Sequence, residues 1–211
     1  MNHLAEEQYA ENIYARDEQL EQVKQSIRHN GMPEISVSPG YGRLLTIMVK
    51  MAQAKSILEI GALGGYSGIC LARGLKEEGR LVSLELKAEF ALLAEQNLQA
   101  AGFGDKVKYR IGDALHSMEQ LANEGETFDF VFIDADKVHA PEYLEWSIRL
   151  STPGAIIIGD NTFMHGKTLD PSYTGPGVQG IRRFNERVAA DPRLESTLIP
   201  AYDGLVIARV K

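Results

Sequence analysis

The sequence predicts an α/β fold with a mostly parallel sheet, helices on both faces, and an antiparallel hairpin closing the C-terminal side. Three observations predict it. Short aliphatic or β-branched runs recur at 57–60, 81–85, 107–111, 128–134 and 155–159. Segments with helical periodicity fill the gaps, at 67–76, 88–101, 115–122 and 142–150. After a helical stretch at 179–190, two further runs at 194–200 and 205–210 are separated by a turn at Tyr202-Asp203-Gly204, too tight for anything but an antiparallel pair. Apolar strands alternating with helices mark a parallel sheet covered on both faces.

Each element has its own signal. Residues 5–29, rich in Glu, Gln, Arg and Leu, predict one helix ending near His29-Asn30-Gly31, so residues 1–32 form an N-terminal helical extension. Ser38 is placed to cap a second helix, with Pro39 at its first position, running to Gln53. There Leu44, Leu45, Ile47, Met48 and Met51 share helical spacing, and the methionines are expected in the core. Cys70 is expected to be a buried structural thiol, and Trp146 a core residue. The stretch 165–177 reads as a flexible flap.

At 211 residues, with 44% hydrophobic and 24% charged residues, the chain suits one globular domain, 1–211. A net charge of -7 argues against nucleic acid as a partner, although Arg182, Arg183 and Arg187 could form a local basic patch. One cysteine excludes an internal disulfide or a cysteine metal cluster. With no apolar leader and no run near the roughly 20 residues of a membrane span, a cytoplasmic location is expected.

Ligands of open α/β sheets bind beyond the carboxyl ends of the strands. Those ends here carry Glu59 to Ser67, Glu85, Gly112-Asp113-Ala114, Asp134 to Lys137, and Asp160-Asn161. The loop after the first strand lacks the dinucleotide fingerprint, since Leu63 and Tyr66 stand where glycines are required after Gly61. Glu59, Asp134 and Asp160 would repel a pyrophosphate but suit a cation. S-adenosylmethionine carries a sulfonium and an ammonium and no phosphate. Glu59 is placed to hold the ammonium, the small Gly61 and Ala62 let the backbone approach, and Glu85 can accept from both ribose hydroxyls.

Asp134, Asp160 and Asn161 offer three oxygen ligands, which favour Mg²⁺, Mn²⁺ or Ca²⁺ over zinc. Octahedral coordination would leave about three positions for acceptor oxygens and water. Such an ion would raise the acidity of a vicinal diol. Lys137, three residues after Asp134, can face the same site and serve as a general base, or simply pair with Asp134 or Asp136.

These residues resemble the cation-dependent O-methyltransferases of the catechol and caffeoyl-coenzyme A type. The similarity runs from about Pro33 to Lys211 through ILEIGALGGYSG (57–68), FDFVFIDADK (128–137), IIIGDN (156–161), GIRRFNERVAADPRLE (180–195) and YDGLVIARVK (202–211). It implies the Rossmann-like class I methyltransferase fold, a seven-stranded, mostly parallel sheet with a reversed last strand, in a homodimer. It implies a cofactor pocket of Val37, Glu59, Gly61, Ser67, Glu85, Ala114 and Asp134. It implies metal ligands Asp134, Asp160 and Asn161, with Lys137 and Asp134 catalytic. Two positions depart from the plant coenzyme A enzymes. Val138-His139-Ala140 replaces their Asn and Tyr, and Met164 stands where they have Trp. Acceptor selection therefore stays open between a phenolic small molecule (catechol, caffeoyl or flavonoid-like) and a hydroxylated uridine in transfer RNA. A non-catalytic cofactor- or metal-binding module is the third reading. His139 and His165 are expected at the pocket rim, outside the ligand set.

Overall fold

The computed structural model describes residues 3–211. The chain falls into two compact units, Met1–Ala114 and Leu115–Lys211. The first opens with α1 (His3–Ile13), α2 (Glu18–His29) and α3 (Pro39–Ala52). The single helix expected over 5–29 is thus broken. Asp17 adopts an extended backbone, and its carboxylate accepts from Leu20 N–H at 3.1 Å, capping α2. Arg73 holds the same carboxylate from the other side. Helix-forming residues flank the break on both sides, which hides it from periodicity.

Ser38 does cap α3, accepting from Tyr41 N–H, with Pro39 in its first turn. Tyr41, Leu45 and Val49 form its buried face. The expected burial of the methionines is overturned: Met51 is 73% exposed, as is Ile47 at 52%, and Met48 is half-buried.

β1 (Ser56–Ile60), α4 (Tyr66–Ala72), β2 (Arg80–Glu85), α5 (Ala88–Ala100), a 3₁₀ turn at Gly104–Lys106 and β3 (Val107–Ile111) complete this unit. β1 and β2 run parallel with Glu59 opposite Ser83, and β2 and β3 with Glu85 opposite Ile111. β1 and β2 are buried on both faces, so their sequences read as unbroken apolar runs rather than alternating ones. α4 stops at Ala72, sooner than expected. Its seven residues are all buried, including Cys70, whose thiol is pushed up to about 12 by burial. That thiol is inert.

α6 (Ala114–Asn123) begins at the boundary. β4 (Phe128–Ile133), α7 (Ala140–Leu150), β5 (Ser151–Asp160), α8 (Pro176–Ala190), β6 (Leu194–Ile199) and β7 (Leu205–Val210) follow. β5 starts earlier than expected. Its Ser-Thr-Pro-Gly opening reads as a turn, but a register irregularity opposite Phe128 and Phe130 absorbs the Pro153-Gly154 segment. β4 and β5 are parallel, and β7 is antiparallel to both β5 and β6. The seven strands lie in the order β3-β2-β1-β4-β5-β7-β6, so the reversed last strand is inserted beside β5. This is the fold the resemblance implies.

Phe128, Phe130, Phe132 and Phe184 are fully buried. An added Cβ on Gly159 would stand 2.6 Å from the Phe184 ring, so that glycine lets α8 lie on β5. Trp146 is half-buried, with the Arg149 guanidinium 4.2 Å from its ring, rather than core. The supposed basic patch is broken up as well: Arg187 pairs with Glu145, and Arg182 turns to backbone carbonyls. Among the described residues, no helix is long and apolar enough to cross a membrane.

Candidate active site

In the first unit, the ends of β1 and β2 carry two carboxylates held in different ways. Glu59 is 1% exposed; Ser67 Oγ and Ser83 Oγ each donate to one of its oxygens at 2.6 Å. Its register opposite Ser83 makes this contact a product of strand pairing. Glu85 accepts from the loop amides of Ala62 at 3.2 Å and Leu63 at 3.0 Å, and from Lys87 N–H at 3.0 Å. The carboxylate expected to be open to a ribose therefore also fixes the loop above it. A carboxylate has about four lone-pair sites, so it retains room for a further donor.

The loop's glycines serve two purposes. Gly61 (φ 101°) and Gly65 (φ 85°) occupy the left-handed half of backbone space, which a side chain would strain. Gly64 answers to packing: an added Cβ would fall 2.3 Å from Ile27 of α2. Asn97 of α5 donates to the Gly64 carbonyl at 2.8 Å. Val37 is buried just before the α3 cap, and Ala114 is half-buried at the first position of α6. Sequence reasoning missed Leu86 and Ile111, apolar yet 69% and 57% exposed beside Glu85. An apolar residue directly after a strand-terminal acid was the available signal.

The second unit carries the acidic group. Ile133 pairs with Gly159, so the next residues, Asp134 just past β4 and Asp160 as the last residue of β5, stand side by side. Lys137 Nζ donates to Asp134 Oδ1 at 3.0 Å and to the Asp160 carbonyl at 3.4 Å, which ties the three residues together. Asp160 is 5% exposed and accepts from Asn161 N–H at 2.7 Å. Asn161 sits at φ 59°, a left-handed position that Asn tolerates better than most side chains. Burial, then the charge of Asp134, pushes the Asp160 carboxyl up to about 7. Burial also raises Asp134, against the opposing pull of Lys137.

Asp203, which sequence reasoning treated only as part of a turn, belongs to this group. Its charge adds to the upward push on both Asp134 and Asp160. One oxygen accepts from His165 N–H at 2.5 Å, and Oδ2 is buried without a hydrogen-bond partner among the described residues. A buried oxygen without a partner leaves room here for a ligand's donor or a cation. The donor set fits a hard divalent ion: two carboxylates and an amide oxygen, with no sulfur or imidazole. Among the described residues, no three His, Cys, Asp or Glu side chains converge as a ligand set, so any third protein ligand would have to be a neutral oxygen such as the Asn161 amide.

Asp136 stands apart from this group. It accepts from the Val138 and His139 N–H groups, His139 Nδ1 and the Tyr143 hydroxyl, closing the start of α7. His139 is thereby occupied, and His165 is 85% exposed at its side chain. Gly180 of α8 has no room for a side chain: an added Cβ would lie 2.0 Å from the Lys137 carbonyl oxygen. The helix backbone thus buttresses Lys137.

The O-methyltransferase family model matches residues 9–211. The chain is 43% identical over 201 residues to a catechol O-methyltransferase of Niastella koreensis, covering 92% of this chain and 91% of that protein. An O-methyltransferase from Bacillus cereus solved in complex with SAH superposes with a TM-score of 0.92 at 45% identity, over 98% of this chain and 97% of the other. A Streptomyces achromogenes O-methyltransferase of tomaymycin synthesis, solved with SAM, gives 0.88 at 39% identity, over 96% and 94%. With the model matching nearly end to end and the sheet order in agreement, the chain belongs to the O-methyltransferase family, whose members are S-adenosylmethionine-dependent enzymes.

Proposed function

We propose that this chain transfers the methyl group of S-adenosylmethionine to one hydroxyl of a vicinal dihydroxy aromatic, assisted by a divalent cation. The observation that carries this reading is the pair Asp134 and Asp160, side by side at the ends of β4 and β5 with Lys137 bonded to both residues. The catechol O-methyltransferase relative supports the acceptor class, and the two solved relatives with SAH and SAM support the cofactor.

Glu59, Gly61, Ala62, Ser67 and Glu85, with Val37, Ala114 and Asp134, form the cofactor set. The exposed Leu86 and Ile111 offer apolar surface to an adenine. Asp134, Asp160 and Asn161 would hold Mg²⁺, Mn²⁺ or Ca²⁺. When bound, the ion supplies the positive charge that makes a diol hydroxyl acidic near neutral pH. Lys137 Nζ, as the neutral amine, takes that hydroxyl's proton and becomes the ammonium. The oxygen forms its bond to the methyl carbon as the carbon–sulfur bond breaks, and sulfur keeps the electron pair. Holding both reactants in line supplies much of the rate. The exposed apolar side chains of Tyr9, Ile13, Ile47 and Met51 on α1 and α3 support a homodimer.

Glu85→Ala should weaken binding of the cofactor by about 1.5–3 kcal/mol, the scale of a charge-assisted hydrogen bond. Both the ribose contact and the restraint on Ala62 and Leu63 would be lost. Calorimetry with S-adenosylhomocysteine giving wild-type affinity would remove Glu85 from the site. The proposal itself is tested by offering a catechol, such as caffeic acid, and the matching monophenol. The diol should be methylated and the monophenol left untouched; equal rates would end the dihydroxy requirement.

A further inference from the structure

The segment 161–175 joins β5 to α8 without regular secondary structure, yet its shape is heavily determined. Arg182, on α8, donates Nε to the Thr168 carbonyl at 3.1 Å and Nη1 to Tyr173 at 2.8 Å. Its Nη2 donates to Lys167 at 3.1 Å and to Asp170 at 2.6 Å. Four carbonyls of one loop converge on one guanidinium, whose planar fork fixes five N–H directions. At the loop's inner end, Asp203 holds His165 N–H, and Thr168 bonds back to the Phe163 carbonyl through its N–H and hydroxyl. Asn161, Met164, His165 and Gly166 all sit at positive φ, a conformation that costs nothing at the glycine and little at the asparagine but is unfavourable for Met164 and His165. The stretch expected from composition to be a flexible flap thus carries hydrogen bonds along most of its length.

Its inner end adjoins the candidate catalytic residues. It begins at Asn161, and Met164 Cε and Lys137 Cβ lie 3.6 and 3.7 Å from where a Cβ on Gly177 would be. Its outer part leaves Leu169 73% and Tyr173 47% exposed.

We propose that Arg182 is a positioning residue: it fixes the β5–α8 loop in one shape and so determines which dihydroxy aromatics the site accepts. The proposal rests on the function argued above. The guanidinium bonds four carbonyls at once, so all four anchors depend on one side chain. A lysine, with three donors on one nitrogen, cannot reproduce four divergent bonds. The arginine would therefore be required by geometry and not by charge alone.

The test compares Arg182→Ala and Arg182→Lys with wild type and with the exposed neighbour variant Arg183→Ala. Steady-state kinetics would use catechols with different ring substituents. Both Arg182 variants should raise the acceptor KM by about ten- to hundredfold and flatten the preference among substituents, while kcat moves far less. Affinity for S-adenosylhomocysteine should stay at the wild-type value, and Arg183→Ala should match wild type throughout. Trypsin cleavage after Lys167 in the intact folded protein should be accelerated in both Arg182 variants. Wild-type KM, preference and cleavage rate in the two variants would overturn the proposal, as would full rescue by lysine. Wild type failing on every catechol would instead count against the proposed function, and cleavage after Lys167 would still decide the clamp.

Discussion

Replacing Lys137 with alanine should lower turnover by about 10²–10⁴-fold, the usual contribution of a general base. The structure gives Lys137 two bonds, to Asp134 Oδ1 and the Asp160 carbonyl, and a backbone pressed by Gly180 of α8. Its Nζ is therefore held at the acid pair. Glu59 and Glu85, proposed above to hold the cofactor, bond to Ser67, Ser83 and the loop amides, so S-adenosylhomocysteine should keep most of its affinity for the variant. Raising the pH should partly restore the variant's rate, because solvent then removes the acceptor's proton. A purely structural lysine would give a variant with wild-type turnover at every pH. That outcome would leave Asp134 as the only role for Lys137.

In excess chelator the chain should show an inverted pH dependence of stability. Asp160 is raised to about 7 in the folded, metal-free chain, from 3.8 in a solvated one. Between those values the folded state holds a proton that the unfolded state releases. Stability from this group therefore falls as pH rises from about 4 to about 7 and levels off above, the reverse of an ordinary ion-paired aspartate. Below about 4 both states are protonated and the group contributes nothing. A divalent cation that binds ionised Asp134 and Asp160 should restore stability at neutral pH by mass action. Thermal melts in chelator at about pH 5 and about pH 7.5 should show the loss in wild type, and Asp160→Asn should lack it. Parallel pH profiles for the two proteins, with no stabilisation of wild type by added Mg²⁺ or Mn²⁺, would contradict the assignment. Asp160→Ala should mimic chelation in turnover without rescue by modest added metal.

The strands were legible because their burial on both faces of β1 and β2, and the aromatic run of β4, forces continuous apolar stretches. The acids at their ends were legible for a related reason: strand ends in parallel sheets gather on one edge, so Glu59, Glu85, Asp134 and Asp160 could be listed together from the sequence. What escaped was set by contacts distant in sequence or made by backbone atoms. The break before α2 depends on Asp17 meeting Arg73, far along the chain. The start of β5 depends on a register irregularity that no composition signals. Met51 and Ile47 share the helical period of buried neighbours but fall on the exposed side of α3. Asp203 looked like any turn residue until folding set it against the end of β5, where Phe163 N–H bonds its carbonyl. Arg182 looked like part of a basic patch because carbonyl partners leave no trace in the residue types.

The central claim, that Asp134, Asp160 and Asn161 serve a cation-assisted methyl transfer, is tested most directly by one reaction. Methyl transfer from labelled S-adenosylmethionine to a catechol would be followed in excess chelator and again after adding back Mg²⁺, Mn²⁺ or Ca²⁺, with circular dichroism confirming that the fold persists. Turnover should vanish in chelator and return, at least in part, with the added ion. Full activity in excess chelator would contradict the account.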